Sequence, residues 1–437
     1  MDRRKFVASL AAVPGALNAA VPALAIEGGS PVREKPLRGK SWGPQYYDEK
    51  ERLELGEVLE SGLPFRWSER ALKVATFEKE FAARMQTRYA LAVTSGTAAL
   101  ETAVTALQIG PGDEVILPAW TWHSDMTAVV RAGALPVFAE IDESFNIDPA
   151  GIESKITPQT RAIIVVHLQG NPADMDRILP IARKHRLKVL EDCCQSVGAS
   201  YKGRPLGSLG DIGIYSNQLS KTITAGEGGE VVTNDPALFE RAARFHDVGL
   251  LLGPHGKRLG QRRLDPFVGT NFRMNEFSGG VLLAQLRKMD TIIAAVRSNA
   301  RRVYDSIRDL PSIRFRLLPD PQGELGTAVF LEFDSKERRD RYMAAMKAEN
   351  VPVAPPGGSV ILPIQPYVEK KIALHPAWPS WTTERGRSIQ YGAASCPRTI
   401  DILSRFAGAH IDPKFTRRDT DDIVAAIRKV YPAITRT

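Results

Sequence analysis

Between residues 75 and 235 this chain alternates short apolar runs with longer amphipathic ones, and that rhythm restricts its fold more than any other feature. Apolar runs fall at 90–94, 114–118, 136–141, 161–167, 188–192, 212–216 and 230–233, with helical patterns between most of them, as at 76–85, 98–107 and 175–186. Strands covered on both faces read as continuous apolar stretches, and parallel neighbours must be joined by long crossovers, usually helices. The pattern predicts an α/β fold with a mostly parallel sheet flanked by helices. In such sheets a ligand sits at the carboxyl ends of the strands. Beyond residue 290 the character changes: after helices at 274–289 and 292–307 come strands at 312–317 and 328–333 and helices at 336–350 and 419–430. The stretch 351–366, rich in Pro and Gly, resists assignment. A large domain with its N-terminal segment is predicted over 26–290, and a smaller C-terminal α+β domain over 291–437.

The 437 residues carry 58 basic against 50 acidic side chains, a net charge of +8 that is modest for this length. The basic residues are spread along the chain, with short clusters such as Lys257-Arg258 and Arg262-Arg263. No nucleic-acid-binding signature accompanies them, so a small acidic or phosphorylated ligand fits the charge at least as well. Three cysteines, Cys193, Cys194 and Cys396, make neither a disulfide framework nor a CxxC zinc pair. The first residues read separately: Arg3-Arg4, Phe6, an Ala-rich apolar run and Ala23-Leu24-Ala25 follow the order of a twin-arginine export signal over residues 1–25. Pro14 and Pro22 interrupt the run, which is too short to span a membrane. A periplasmic or exported location is therefore expected, with a cytoplasmic one as the alternative.

Four strand ends carry polar residues suited to a phosphorylated aromatic cofactor. Ser95-Gly96-Thr97 opens a helix, where free N–H groups and the dipole favour an anion, although Ser and Thr also cap helices with no ligand present. Trp120-Thr121-Trp122 offers rings that can stack on a flat cofactor or simply fill a core. Glu191-Asp192 closes an apolar strand, and a buried carboxylate there needs a partner such as a pyridine nitrogen. A cap or metal ligand is the rival reading, but no neighbouring His/Cys/Asp cluster is evident to complete a metal shell, and none is expected. Lys221 follows the strand at 212–216 and precedes Gly226-Glu227-Gly228-Gly229. This is no P-loop, since GxxxxGK[ST] is absent. A surface lysine remains possible for that position alone. Phosphate cradle, stacking ring, pyridinium partner and imine-forming lysine in this order point to pyridoxal phosphate.

The segments TSGTAAL (94–100), LPAWTW (117–122), EDCCQSVGASYKGRPLGSLGDIGIYS (191–216), LSKTITAGEGGEVVTND (219–235) and NFRMNEFSGGVLLAQL (271–286) resemble the DegT/DnrJ/EryC1/StrS family. The resemblance runs from about Leu24 through the final helix. It implies the fold type I architecture of pyridoxal 5'-phosphate-dependent transferases and amino transfer from L-glutamine or L-glutamate to a keto-sugar or keto-cyclitol. It also implies that Lys221 carries the cofactor as a Schiff base and that Asp192 pairs with the ring nitrogen. Gln195 would lie near the ring hydroxyl, Trp122 would cover the ring, and Gly96, Thr97 and Ser216 would hold the phosphate. Asn271 would reach that phosphate from a second subunit, in a homodimer with shared sites.

Lys221 stands where the family's sugar dehydratases have histidine, which disfavours that branch. Gln218 and the opening LAIEGGSPVR resemble the scyllo-inosose aminotransferases, and Gln218 also the 3-amino-5-hydroxybenzoate synthases. Two stretches depart from the family pattern: His123-Ser124-Asp125, and AHIDPKF at 409–415. The rival functions are elimination with aromatisation, as in aminohydroxybenzoate synthesis, and a cofactor-bound regulator without catalysis. His167, closing the strand at 161–167, either touches substrate or is a satisfied core residue.

Overall fold

A computed structural model of the chain describes residues 23–39, 46–67, 70–260 and 264–435. The export-signal motif up to Pro22 and the Arg262-Arg263 pair lie outside these residues. Seven strands form the central sheet: β1 (Tyr89–Val93), β2 (Glu114–Pro118), β3 (Leu135–Ala139), β4 (Thr160–Val166), β5 (Lys188–Asp192), β6 (Ile212–Ser216) and β7 (Gly229–Thr233). Their order is β1-β7-β6-β5-β4-β2-β3. Neighbours from β6 to β3 run parallel, while β7 lies antiparallel between β6 and β1. This is the mostly parallel, helix-covered sheet of fold type I, and the predicted strands reappear within a residue or two of their ends.

The helices that matter for the site are α1 (Glu49–Ser61), α2 (Lys73–Arg84), α3 (Gly96–Ala106), α4 (His123–Arg131), α5 (Met175–His185), α6 (Pro236–Phe245) and α7 (Glu276–Ile307). The predicted break between 289 and 292 does not occur: α7 is one helix of 32 residues, started by Asn275, whose side chain accepts from Ser278 N. Asp290 and Thr291 are exposed, and neither Pro nor Gly stands there to interrupt the backbone. Leu282, Leu286, Met289 and Ile293 of α7 pack in the core under the sheet. Val296, Val303 and Ile307 of the same helix pack in a second core.

That second core gathers α7 with β8 (Ala328–Glu332), α8 (Lys336–Ala348), β9 (Phe406–His410) and α9 (Arg417–Thr435). The predicted strand at 312–317 is reduced to a single bridge, Phe315 to Leu331, because β8 takes β9 as its full ladder partner. β9 is not legible in the sequence, since FAGAH has a single bulky apolar residue, Phe406, followed by Ala-Gly-Ala. Gly408 explains that composition: an added Cβ would stand 2.4 Å from Phe330 Cδ1. The N-terminal segment closes this core with Leu24, while Glu349 accepts from Ala25 N (2.8 Å) and Val32 N (3.0 Å). Among the described residues no helix is long and apolar enough to cross a membrane.

Candidate active site

The carboxyl ends of β1, β5 and β6 and the start of β7 meet at one edge of the sheet, as their register requires: Val93 pairs with Gly229, Gly229 with Ser216, and Asp192 with Ile214. The meeting is too close for side chains at two positions. A Cβ on Gly96 would stand 2.7 Å from Ser216 Cβ, and one on Gly229 would stand 2.5 Å from Ser95 O. Glycine at both lets the N-terminus of α3 face the end of β6 directly, and the first-turn amides there have no helical partner. Ser95 Oγ accepts from Ala98 N at 3.1 Å, the ordinary helix cap. Thr97 Oγ1 and Ser124 Oγ share a hydrogen bond of 2.8 Å. Ser216 Oγ accepts from Gln218 N at 3.3 Å, which leaves its own proton to donate.

Lys221 rides on a loop whose base is tied in three places. Asn217 N donates to Gly228 O (2.9 Å), Leu219 N to Gly226 O (3.0 Å), and Thr224 Oγ1 to Asn217 O (2.8 Å). Among the described residues no carboxylate is ion-paired with Lys221 Nζ. Lys221 lines a cavity of ≈ 430 Å3 whose walls come from both cores. Cys194, Gln195, Ile292, Val296 and Phe330 line the same cavity, and so do His410, Ile411, Asp412 and Pro413 of the unusual AHIDPKF stretch.

The two acids ending β5 point to opposite faces of the sheet. Glu191 is buried and receives four donors: Gly207 N (2.9 Å), Leu209 N (2.7 Å), Gly210 N (2.6 Å) and His167 Nε2 (3.1 Å). It pins the Gly-rich loop at 207–210. His167 accepts from Ala173 N at its Nδ1, so Nε2 carries the proton given to Glu191, and His167 is a satisfied core residue. His167, Glu191 and Cys193 offer ligand atoms within 4.8 Å of one another, a grouping the sequence reading did not foresee. The histidine and carboxylate atoms are already committed to these hydrogen bonds. Burial, with Glu191 and Asp192 nearby, pushes the Cys193 thiol well up, so it is no ready thiolate.

Asp192, on the other face, accepts Cys194 N at 2.7 Å through Oδ1. Gln195 is held by the stretch that resisted assignment: its Nε2 donates to Gly358 O and Ser359 Oγ, both at 3.0 Å. Gln169 N donates to Gln195 Oε1 (3.3 Å), and Gln169 Nε2 donates to Gly357 O. Val360–Ile361 then pairs with Trp120–Thr121, so this stretch forms a wall of the site. Trp122 begins α4 as its N-cap residue, 51% exposed and edge-on to His123. His123 Nδ1 lies 2.6 Å from Tyr367 Oη. Asn271 is exposed and does not line the cavity; it bridges to Asp247. Thus one chain brings Gly96, Ser216, Asp192, Gln195 and Lys221 to one edge of the sheet, while Asn271 is exposed, two residues before Arg273, which bridges to Val93 at the end of β1.

The model for the DegT/DnrJ/EryC1/StrS aminotransferase family matches residues 45–428. The chain belongs to that family. It is accordingly an aminotransferase of a pyridoxal-phosphate-dependent family. It is 33% identical over 436 residues to the L-glutamine:2-deoxy-scyllo-inosose aminotransferase of Micromonospora echinospora, covering 93% of this chain and 97% of the relative. To the spore coat polysaccharide biosynthesis protein SpsC of Bacillus subtilis (strain 168) it is 32% identical over 389 residues, 86% of this chain and 93% of that one. The crystal structure of 3-amino-5-hydroxybenzoic acid synthase superposes with a TM-score of 0.74 at 28% identity, covering 92% of this chain and all (100%) of that one.

Proposed function

We propose that the enzyme moves an amino group from L-glutamine or L-glutamate onto a keto-cyclitol or keto-sugar, with Lys221 as its catalytic base and covalent anchor. The observation that carries this reading is the position of Lys221: a lysine with no ion pair among the described residues, on a tied loop, lining the same cavity as Cys194 and Gln195. The residues fit the cofactor. Gly96 and Gly229 leave a bare backbone corner at a helix N-terminus, next to the Ser216 hydroxyl, where a phosphate would be held with Thr97. Asp192 would keep the ring nitrogen protonated, Gln195 would meet the ring hydroxyl, and Trp122 would cover the ring. Bound pyridoxal phosphate supplies an electron sink for the carbon from which the amino group leaves.

The chain's own groups do the rest. Lys221 Nζ takes the proton from the α-carbon of the donor and returns it on the other side of the transfer, as general base and then acid. Ala354, Pro355, Gly357 and Gly358 and the apolar side chains of Ile292, Val296 and Phe330 line the cavity beside Lys221 in which that proton moves. The similarity to the inosose aminotransferase supports a ring ketone as acceptor and glutamine as donor. A homodimer is part of the reading: the family resemblance has Asn271 reach the phosphate from a second subunit, and Asn271 is exposed, as are the large apolar side chains of Val248, Leu250 and Val268. So is export by the twin-arginine motif, which fractionation of cells expressing the tagged chain tests.

The deciding experiment is the visible spectrum of the holoenzyme before and after L-glutamine or L-glutamate is added. Bleaching of the cofactor band supports transfer; a band that no donor bleaches favours elimination, the chemistry of aminohydroxybenzoate synthesis. Lys221→Ala is expected to abolish both the band and turnover, and survival of either would overturn the role given to Lys221.

A further inference from the structure

Resting on the reading above, the carboxyl group of Asp125 carries one step more. Asp125 sits in the first turn of α4 with no exposed surface. Its Oδ2 accepts from Thr121 Oγ1 at 2.5 Å, while Oδ1 is buried with no donor among the described residues. Besides Thr121, a second carboxyl, that of Asp192, lies within hydrogen-bonding reach of this one. Two ionised carboxylates have only acceptors to offer one another, and a buried oxygen left so is heavily penalised. One proton between them removes both the repulsion and the orphaned oxygen.

The charged and titratable groups facing Asp125 are Asp192 and Cys194 from the end of β5 and Lys221 from the loop after β6. Burial first and Asp192 second push the Asp125 carboxyl well above the usual range, with the Thr121 hydrogen bond and Lys221 opposing. Burial and Asp192 likewise push the Cys194 thiol up, so Cys194 adds no negative charge. The proton belongs on Asp125, which is the more deeply buried of the two, whereas Asp192 Oδ1 already receives Cys194 N–H.

We propose that Asp125 is a neutral carboxylic acid that donates to Asp192, so that one proton serves the pair beside the cofactor ring. Asp125 is then a positioning residue: it fixes the Asp192 carboxylate and tempers the negative charge presented to the ring nitrogen.

Asp125→Asn retains an acceptor for Thr121 and a neutral donor for Asp192, while Asp125→Ala removes both. In the apo-protein at pH 7, infrared difference spectra against either variant are expected to show loss of one protonated-carboxyl carbonyl band. In the holoenzyme, the pH midpoint of the visible cofactor band is expected to stay within about half a unit in Asp125→Asn and to move further in Asp125→Ala. Were Asp125 ionised, Asp125→Asn would delete a buried charge and shift the midpoint by about 1 unit or more, with no carbonyl band lost; either result overturns the inference. Should Asp125→Ala fail to fold, the isosteric Asp125→Asn and the infrared band still decide it. Failure of the wild type to take up pyridoxal phosphate would sink the proposed function instead, and the apo-protein spectrum would still report the shared proton.

Discussion

Glu324 stands one residue before Leu325 of the cavity wall, with its side chain buried and Oε1 lacking a hydrogen-bond partner. Burial pushes its carboxyl up to about 7, against the pull of Arg316 and Arg297. The folded protein therefore keeps a proton that the unfolded chain releases near its ordinary value of 4.5. Stability from this group falls as pH rises through that window, reaching a full cost on the order of 3 kcal/mol above neutrality. Glu324→Gln is expected to be more stable than the wild type by about that amount in urea titrations at pH 8, with the gap closing toward pH 4.5. Equal stability at pH 8 would mean that the carboxyl is solvated after all. Nothing in the sequence singles out Glu324, whereas Lys221 and Asp192 are legible because strand-end chemistry puts them at the sheet's functional edge. Asp125 falls between these cases. It is visible as a departure from the family pattern, but its partner becomes evident only when α4 is set against the end of β5.

The elements that were easy to read are those whose burial needs no distant partner to explain it. Strands β1 to β7 are almost wholly buried, so apolar residues dominate each of them. By contrast β9 owes its small residues to Phe330 across the ladder, and the stretch 351–366 takes its shape from side chains almost two hundred residues away. Gln169 is the tether for that stretch, at a left-handed backbone position (φ 51°), and its Nε2 reaches Gly357 O. Asn tolerates that backbone but is one methylene short of the contact. Gln169→Asn is expected to speed amide hydrogen exchange through 354–361 while β4 and β5 keep their protection. Unchanged exchange in that wall would show that the Gln195 and Trp120–Thr121 contacts hold it without Gln169.

At the scale of the whole molecule, the proposed export signal, read as ending at Ala25, would overlap the fold. Leu24 is 4% exposed in the second core, and Ala25 N is bound to Glu349, which is itself ion-paired with Lys429 (2.8 Å). Processing after Ala25, the site suggested by Ala23-Leu24-Ala25, would strip both contacts from the mature enzyme. A chain begun at Ile26 is expected to be less stable than one begun at Ala23 by about 1.5–3 kcal/mol, the worth of one buried leucine, as read by thermal melting. Equal melting would show that the second core closes without Leu24. The helix α7 decides how such damage is felt. Proteins with two cores commonly lose them in separate steps, but here one unbroken rod of 32 residues supplies side chains to both. Heat that frays the smaller core also withdraws half of that rod's anchorage from the larger, so calorimetry is expected to record a single peak. The enzyme then has no half-molten state in which the cofactor site outlives the module beside it.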